Sequence, residues 1–286
     1  MKRSTRQELA KQTVEIVERG TYTSAAGRQI DISGSVRACL DATRQFAPED
    51  LKRLRKNVLT RPAPGSVTQV EVVNETTLAG TARLLAETGG PVAVLNFASA
   101  KNPGGGFLNG SQAQEESLAR SSALHASLLL AFEFYERHRA SPSLLYSDAM
   151  ILSPDCPIFR DDDGVLLEQP SLASFITSPA PNAGAAANNR PEELPLIAET
   201  MRRRSEYILA LAAAHGYERL VLGAWGCGVF RNDPRLVADA FAGHLNGLWA
   251  GRFKRVVFSV LDSSAAQETI SAFQSAFASR GKMNDG

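Results

Sequence analysis

Two adjacent glutamates, Glu115 and Glu116, lie at the predicted start of a helix, directly after Gln114. Carboxyl groups can give and take protons during a reaction, so the pair is a candidate for general acid–base chemistry. Consecutive helical residues point about 100° apart, so the two carboxylates cannot flank a bond from opposite sides as in ordinary glycosidases. We therefore expect different tasks, with one aimed at the reacting bond and the other holding a sugar hydroxyl. The competing interpretation is that both acids only complement the helix dipole.

Two glycine-rich loops are candidates for phosphate binding. The first contains Gly104, Gly105 and Gly106, and the second spans residues 223–230 with the sequence GAWGCGVF. Each follows a predicted buried strand, and ligands of open α/β sheets bind at the carboxyl ends of the strands. Backbone N–H groups of such loops approach phosphate oxygens closely, so the two loops could clamp a diphosphate. Neither loop matches an ATPase or dinucleotide-binding motif, and a tight surface turn is the alternative interpretation.

Alternating strand and helix patterns from about residue 68 onward must position these groups. The predicted strands span residues 68–73, 92–97, 149–152, 158–160, 165–167, 172–177, 219–222 and 255–261. The predicted helices span residues 76–87, 115–138, 196–215, 234–249 and 265–279. The nearly continuous apolar run at 92–97 is typical of a strand covered on both faces. The pattern predicts an α/β fold with a largely parallel or mixed sheet between helical layers.

The chain is predicted to divide at residue 65. Residues 1–65 form a mainly helical N-terminal extension packed on the main domain, and residues 66–286 form the main domain. Within it, residues 178–190 are rich in Pro, Ala and Asn and predict a long mobile loop. Asp161 to Asp163 predict a hairpin turn, and Arg202 to Arg204 predict a solvated helix surface.

Composition excludes several classes of function. Lys and Arg total 31 against 30 Asp and Glu, a formal net charge of +1, so no direct nucleic-acid binding is expected. The apolar runs fall well short of the roughly 20 residues of a membrane span, and no secretory signal pattern follows the start. The three cysteines form no CxxC pair and the four histidines no metal-ligand spacing. We therefore expect a cytoplasmic protein without a metal site.

The order of Gly104 to Gly106, seven residues, then Gln114-Glu115-Glu116 resembles the GGG…QEE signature of poly(ADP-ribose) glycohydrolases. The surrounding segment VLNFASAKNPGGGFLNGSQAQEESLARSSAL, together with the loop GAWGCGVF, is similar to the microbial type of that family. The resemblance covers roughly residues 68–280. It implies a macrodomain-like three-layer α/β/α sandwich that hydrolyses the ribose–ribose bonds of poly(ADP-ribose) and releases ADP-ribose, with no metal or redox cofactor.

The resemblance also implies roles for individual residues. Glu116 would be the catalytic acid, and Glu115 would bind ribose hydroxyls beside the bond that breaks. The residues implied to hold the diphosphate are Gly104, Gly105, Gly106, Gly226, Cys227, Gly228 and Val229. Phe230 would contact the adenine or its ribose, Asn96 would contact the distal ribose, and Gln114 would support the glutamates. Glu75 is a weaker candidate for contact with the adenine amino group.

A mechanism follows from these roles. Glu116 would protonate the departing hydroxyl and then, as a carboxylate, deprotonate the attacking water. The expected partners are poly(ADP-ribose), ADP-ribose and poly(ADP-ribosyl)ated proteins. Two alternatives stay open: a macrodomain module that binds ADP-ribose without hydrolysis, and a hydrolase of single ADP-ribose units joined to protein or nucleic acid.

Overall fold

A seven-stranded mixed sheet forms the centre of the computed structural model, which describes residues 1–65 and 67–278. The strands of the described residues are β1 (Thr21–Thr23), β2 (Gln29–Asp31), β3 (Arg44–Phe46), β4 (Gln69–Val73), β5 (Ala93–Phe97), β6 (Met150–Arg160), β7 (Leu166–Ser178), β8 (Arg219–Leu222) and β9 (Arg255–Ser259). The order in the large sheet is β3-β6-β7-β5-β8-β9-β4, and β1 and β2 form a separate hairpin.

The direction of the strands determines where a ligand site can form. β5 pairs in parallel with β7 and β8, and β9 pairs in parallel with β8 and β4. β6 runs antiparallel to β7, and β3 runs antiparallel to β6. The carboxyl ends of the five parallel strands β4, β5, β7, β8 and β9 therefore meet at one edge of the sheet, where loops can surround a ligand.

Helices cover both faces of this sheet. The α-helices of the described residues are α1 (Arg3–Arg19), α2 (Ser33–Ala42), α3 (Pro48–Leu59), α4 (Thr77–Thr88), α5 (Gln114–Ser121), α6 (Leu124–Leu129), α7 (Phe132–Ala140), α8 (Ala183–Asn189), α9 (Ile197–Ala214), α10 (Pro234–Asn246) and α11 (Glu268–Ala278). One core cluster joins the sheet to α3, α9, α10 and α11, and a second joins it to α1, α2 and α4 to α7. The predicted three-layer α/β/α sandwich is confirmed.

The central strand β5 shows why its sequence is apolar almost throughout. Val94 belongs to one core cluster and Leu95 to the other, and both are almost completely buried. Successive side chains of a strand point to opposite faces of the sheet, so a strand covered on both faces needs apolar residues at every position. β5 therefore holds a rigid, central place from which the first glycine loop departs.

Three sequence predictions about elements were wrong. The single helix predicted at residues 115–138 is three helices, α5, α6 and α7, because Ser122 is extended and forms a bridge with Ile158 of β6. The four predicted strands between residues 149 and 177 are two long strands, since the residues between them also pair, as Cys156 does with Ala173. The mobile loop predicted at residues 178–190 contains the helix α8. The Asp161–Asp163 turn between β6 and β7 is confirmed.

The prediction of a solvated arginine run at 202–204 was also wrong. Arg202 is exposed, but Arg204 is completely buried and forms an ion pair with Asp148 at 3.0 Å. Its guanidinium also donates to the carbonyl oxygens of Pro179 and Leu145. The sequence of α9 alone does not reveal the buried ion pair of Arg204, because its partner Asp148 lies in a distant segment of the chain. The predicted end of the last helix, Ser279, lies outside the described residues.

The first 65 residues contact the main sheet directly. β3 adds an edge strand to it, and α1 packs on the loop between the first glycine run and α5. The Arg3 and Arg6 side chains donate to the carbonyl oxygens of Asn109 and Gly110 at 2.9 and 2.8 Å. The division at residue 65 stays a prediction. Within residues 1–65 and 67–278, none of the helices is long and apolar enough to span a membrane.

Candidate active site

A cleft of about 700 Å³ lies at the carboxyl edge of the sheet. The first glycine loop leaves β5 there, the second glycine loop leaves β8, and the first turn of α5 lies between them. Of the predicted site residues, those that line this cleft are Glu75, Gly105, Gly106, Gln114, Glu115, Glu116, Gly226, Cys227, Gly228, Val229 and Phe230. Asn96 and Gly104 lie behind its wall, with Asn96 completely buried.

Gln114 fixes the start of α5 to the end of β5. Its Oε1 accepts from the Phe97 N–H at 2.9 Å, and its Nε2 donates to the Leu95 carbonyl oxygen at 2.8 Å. Nε2 also donates to the Thr77 hydroxyl at 3.2 Å. A side-chain amide has both a donor and an acceptor, so Gln114 extends the hydrogen-bond ladder of the strand. These bonds fix the position of Glu115 and Glu116 relative to the carboxyl end of β5.

Glu115 is buried beneath the cleft, with 3% of its surface exposed. Its Oε1 accepts from the Asn96 amide at 3.1 Å, and its Oε2 accepts from the Ser99 N–H at 2.7 Å. Burial raises the pKa of Glu115 to about 8, although the Ser99 and Asn96 donors oppose this rise. The carboxyl group is therefore protonated at neutral pH in the free protein, because its charged form is poorly solvated.

Glu116 is half-buried and lines the cleft. Its Oε1 accepts from the Gly106 N–H at 2.9 Å. Its other oxygen, Oε2, accepts from no protein group in the described part of the chain. Both oxygens of Glu115 accept from protein groups, so of the two glutamates Glu116 is the one with an oxygen that accepts from no described protein group.

The first glycine loop makes room for the glutamates. Gly105 has a φ of 61°, which favours glycine, and a Cβ at this position would overlap Glu116 Oε1 and lie 3.2 Å from Glu115 Oε2. Gly104 has a φ of 67°, and a Cβ at this position would lie 3.1 Å from the Phe107 ring and 3.3 Å from the His125 ring. The N–H groups of Gly105 and Gly106 already donate to Asn102 and Glu116. Direct diphosphate binding by this loop therefore stays a prediction, while its contact with the glutamates is observed.

The second glycine loop presents free backbone donors. Trp225 is completely buried and donates to the Ser178 carbonyl oxygen at 2.9 Å, so it anchors the loop, as expected of a packing residue. In the described residues, the N–H groups of Gly228, Val229 and Phe230 donate to no protein acceptor. Successive free N–H groups of this kind form an anion-binding concavity. Burial raises the pKa of the Cys227 thiol to about 12, so it is not ionised at neutral pH.

The remaining predicted residues occupy different parts of the wall. Phe230 is half-buried, with its ring centroid 6.0 Å from that of Tyr146. Glu75 is held by an ion pair with Arg83 at 2.8 Å and accepts from the Ser259 hydroxyl at 3.1 Å. Asn96 donates to Glu115 and to Thr177 and has no exposed surface. In this arrangement Asn96 contacts Glu115, and its predicted contact with the distal ribose stays a prediction.

Sequence reasoning missed two residues of this site and a third beside it. Ser99 contributes only a backbone N–H, which no residue type reveals. Asp162, on the β6–β7 turn, reaches the cleft and accepts from the Thr76 hydroxyl at 2.5 Å, a contact between distant segments. Arg120 lines a neighbouring cavity rather than this cleft, but it follows Glu116 by four residues in α5 and therefore lies on the same helix face. That spacing was a signal that could have found it.

Within the residues that the structure describes, no cluster of three or more His, Cys, Asp or Glu side chains could hold a metal ion. The functional groups described above are carboxylates, an aromatic ring and backbone donors. This set can transfer protons and bind a sugar diphosphate.

Comparison with known proteins identifies the family of this chain. The family model for the microbial-type PARG catalytic domain, where PARG is poly(ADP-ribose) glycohydrolase, matches residues 10–161. The structure of PARG from Thermomonospora curvata is 48% identical, covers 96% of this chain and 100% of its own, and has a TM-score of 0.92. A structure of that protein bound to the inhibitor ADP-HPD is 47% identical with the same coverage and a TM-score of 0.89.

A more distant structure belongs to PARG from Deinococcus radiodurans in complex with ADP-ribose. It is 46% identical, covers 87% of this chain and 99% of its own, and has a TM-score of 0.82. The search of curated proteins found no match. The family model covers more than half of the chain, and the structural relatives cover nearly all of it, so the chain belongs to the microbial-type poly(ADP-ribose) glycohydrolases.

Proposed function

We propose that this chain hydrolyses the ribose–ribose O-glycosidic bonds of poly(ADP-ribose) and releases ADP-ribose. The observation that carries the proposal is the pair of glutamates in the cleft: Glu115 is buried with both oxygens occupied, and Glu116 has one oxygen free. A module that only binds ADP-ribose needs donors for the diphosphate but no such carboxylate. Family membership supports the same activity.

Glu116 is the proton donor in this proposal. The glycosidic bond breaks through an oxocarbenium-like transition state, so the departing hydroxyl oxygen must receive a proton. Glu116 Oε2 donates it and, once ionised, accepts a proton from the water that attacks the ribose carbon. The Gly106 N–H holds Oε1 in place during both steps, which keeps the free oxygen aimed at the bond.

Glu115 positions the distal ribose. With a pKa of about 8, its carboxyl group is neutral at pH 7 and can donate a hydrogen bond to a sugar hydroxyl. We propose that Asn96 orients Glu115 from behind, through its bond to Oε1. Replacing Asn96 would then change the position of Glu115 before it changed any direct contact with the substrate.

The second glycine loop binds the diphosphate in this proposal. The free N–H groups of Gly228, Val229 and Phe230 are the donors, with Gly226 and Cys227 shaping the turn. The bound diphosphate is negative and stabilises the positive charge that develops on the ribose. Phe230 contacts the adenine or its ribose, and Gly104 to Gly106 approach the diphosphate from the opposite loop. Glu75 contacts the adenine amino group.

The proposed macromolecular partners are poly(ADP-ribosyl)ated proteins, which carry the polymer. We further propose that the protein acts in the cytoplasm. Its cysteines at 39, 156 and 227 are all free thiols, which is typical of a reducing compartment.

The central experiment compares Glu116→Gln with Glu115→Gln. Glutamine keeps the shape of glutamate but cannot donate a carboxylic proton, so we expect Glu116→Gln to lower polymer hydrolysis by at least about 10²-fold. ADP-ribose binding should change only a few fold. Glu115→Gln should lose activity with a larger share of the loss in substrate positioning. Hydrolysis is measured with excess enzyme, and ADP-ribose affinity by calorimetry.

The matched control is Glu133→Gln, an exposed acid in the first turn of α7. It should leave hydrolysis unchanged. A folded Glu116→Gln protein with near-normal hydrolysis would contradict the mechanism. If the wild type binds ADP-ribose without releasing it from polymer, the chain is a binding module. Products from substrates carrying single units decide between this activity and that of a mono-ADP-ribosyl hydrolase.

A further inference from the structure

A second cavity of about 230 Å³ lies beside the main cleft. Leu78, Gln112, Ser117 and Asp162 line both cavities, so the two are neighbours. Its walls come from α1, α5 and the β6–β7 turn. No contact proposed above for the catalytic reaction uses this cavity.

Arg160 provides the first argument for a ligand. The side chain lines this second cavity and is 2% exposed, and its Nη1 donates to the Gly164 carbonyl oxygen at 2.9 Å. Its Nε and Nη2 have no partner. The neighbouring Asp161 accepts from N–H groups of its own turn and, among the described residues, forms no ion pair with Arg160. A buried cation with unpaired donors is unfavourable, so an acceptor within the cavity would stabilise this guanidinium.

Two further arginines line the same cavity. Arg120 is 5% exposed and donates to the Ser111 carbonyl oxygen at 2.8 Å and to the Gln112 side chain at 2.5 Å. Burial and the nearby charge of Arg6 lower the pKa of Arg120 to about 10. Neither Arg6 nor Arg120 has a carboxylate partner within 4.0 Å in the described part of the chain. Three cations therefore surround a space without an ion-paired anion.

Among the described residues, the acidic residues of the wall form no ion pair with these arginines, although Asp161 acts electrostatically on Arg160. Asp161 and Asp162 are the carboxylates that line the cavity. Asp161 bonds to its own turn, and Asp162 accepts from Thr76. Burial raises the pKa of Asp162.

We propose that Arg6, Arg120 and Arg160 form a subsite for a phosphate of the ADP-ribose unit that leaves. This proposal rests on the proposed function. Glu116 and Arg120 share one face of α5, and the Glu116 carboxylate acts on the Arg120 guanidinium electrostatically. The hydroxyl that departs toward Glu116 belongs to the adenosine ribose of the next unit, and that same ribose carries a diphosphate. Guanidinium groups are suited to phosphate oxygens.

The test compares two substrates and three variants. One substrate is a dimer of ADP-ribose, and the other is ADP-ribose joined at the same carbon to an uncharged aryl alcohol. Arg160→Met removes the unpaired donors and also the bond from Nη1 to Gly164. Arg6→Gln removes a charge from the half-buried rim. Arg202→Gln makes the same charge change on an exposed helix surface. We expect Arg160→Met and Arg6→Gln to lower kcat/KM for the dimer by about tenfold, as for loss of a charge-assisted hydrogen bond.

The uncharged substrate should lose less than twofold in both variants, and Arg202→Gln should match the wild type on both substrates. A second measurement follows the melting temperature with inorganic pyrophosphate after saturation of the main cleft with ADP-ribose. Pyrophosphate should stabilise the wild type and Arg202→Gln but neither subsite variant. Arg160→Met should melt close to the wild type when pyrophosphate is absent, because removal of the unpaired buried donors offsets loss of the bond to Gly164. Loss of a merely structural arginine would lower the melting temperature.

Each outcome decides the question. The subsite proposal is overturned if Arg160→Met and Arg6→Gln lose the same fraction of kcat/KM on both substrates, or lose none on either. If pyrophosphate stabilises the wild type but not Arg160→Met, and Arg160→Met still cleaves the dimer at the wild-type rate, the cavity binds a free anion. The proposal that it binds a phosphate of the polymer is then wrong. If Arg160→Met does not fold, the same measurements on Arg6→Gln, with Arg202→Gln as the control, test the proposal. A wild type that cleaves neither substrate contradicts the proposed function, and the pyrophosphate measurement still decides whether the arginines bind an anion.

Discussion

Gly105 illustrates how one residue determines the geometry of a pair of acids. Its φ of 61° is strained for any other residue, and a Cβ would overlap the Glu116 carboxylate. Gly105→Ala should therefore displace Glu116 and lower polymer hydrolysis by about tenfold or more, because small displacements of catalytic groups are costly. Larger residues such as valine should add a loss of ADP-ribose affinity. Hydrolysis under single-turnover conditions and calorimetry measure the two effects.

Gly243→Ala is the control for that prediction, since Gly243 lies within α10, has an ordinary φ and leaves open space where a Cβ would lie. It should keep full activity and gain up to about 1 kcal/mol in the free energy of unfolding. If Gly105→Ala hydrolyses polymer as fast as Gly243→Ala does, the glycine is not needed to place Glu116.

Phe230 tests the other end of the cleft. The ring is half-buried beside Tyr146 and lines the wall. Contact between an aromatic side chain and a base contributes roughly 1–3 kcal/mol in nucleic-acid sites, so Phe230→Ala should raise the ADP-ribose dissociation constant about 5- to 150-fold. Phe132→Ala, which removes an exposed ring outside the cleft, is the control. An unchanged dissociation constant in Phe230→Ala would place this ring in the core rather than in the site.

At the residue scale, sequence could predict the groups whose chemistry depends on residue type and on near neighbours in the chain. Glu115, Glu116 and the first glycine loop belong to this class. Ser99 acts through its backbone, so its side chain carries no information about the bond to Glu115. Asp162 reaches the cleft only because β6 and β7 form a long hairpin. Such contacts depend on the fold and have no local pattern.

At the scale of elements, breaks inside polar or alanine-rich segments were the hardest to predict. Ser122 interrupts the predicted 115–138 helix because its extended backbone pairs with β6, and the Ala123 N–H donates to Pro157. Nothing in the helical periodicity marks this tertiary pairing. In the predicted mobile loop, Asn182 accepts from the Ala185 N–H at 3.0 Å and begins α8. Alanines favour a helix after such an N-cap. The sequence therefore contains a helix signal here, although the Pro and Asn residues around it are more typical of a loop.

The helix α9 supports a prediction about stability. Arg204 is completely buried, and Asp148 holds its guanidinium at 3.0 Å. Removing one partner of a buried pair leaves a buried charge without compensation, so Asp148→Ala should lower the free energy of unfolding by about 3–5 kcal/mol. Glu199→Gln is the control, because Glu199 is exposed and lies 3.9 Å from Arg203 in the same helix. Its expected effect is below about 1 kcal/mol, and urea unfolding measures both.

A loss in Asp148→Ala no larger than that in Glu199→Gln would show that Arg204 keeps its stability through the carbonyl oxygens of Pro179 and Leu145 alone. This result would assign the stability of the α9 contact to backbone acceptors rather than to the ion pair.

At the scale of the whole molecule, the alternation of strands and helices was enough to predict the three layers and the edge where the site forms. Apolar strands such as β5 can only be stable between two covered faces, and parallel strands bring their carboxyl ends to one edge. The place of residues 1–65 was less predictable, because β3 is three residues long and joins the sheet at its edge. Short edge strands carry too few residues for a clear alternation.

The free energy of unfolding of the whole molecule should depend on pH because of the buried Glu115. Its pKa is raised from 4.5 to about 8 by burial, so between these values the folded protein holds a proton that the unfolded chain has released. The stabilising effect of this proton is complete below about pH 4.5 and is lost as the pH rises through 8. Burial lowers the pKa of His125 and His138 from 6.5 to about 4, which makes stability rise with pH, but only below about 6.5.

The window from pH 6.5 to 8 therefore isolates Glu115 from these histidines. The free energy of unfolding of the wild type should fall there relative to Glu115→Gln by about 1–2 kcal/mol, since one proton changes stability by about 1.4 kcal/mol per pH unit. Urea unfolding of both proteins at closely spaced pH values measures the difference. Parallel curves across this window would mean that Glu115 is already ionised in the folded protein. Saturating ADP-ribose should then be added to both proteins, because a ligand that bonds to the neutral carboxyl group would extend the proton-bound state to higher pH.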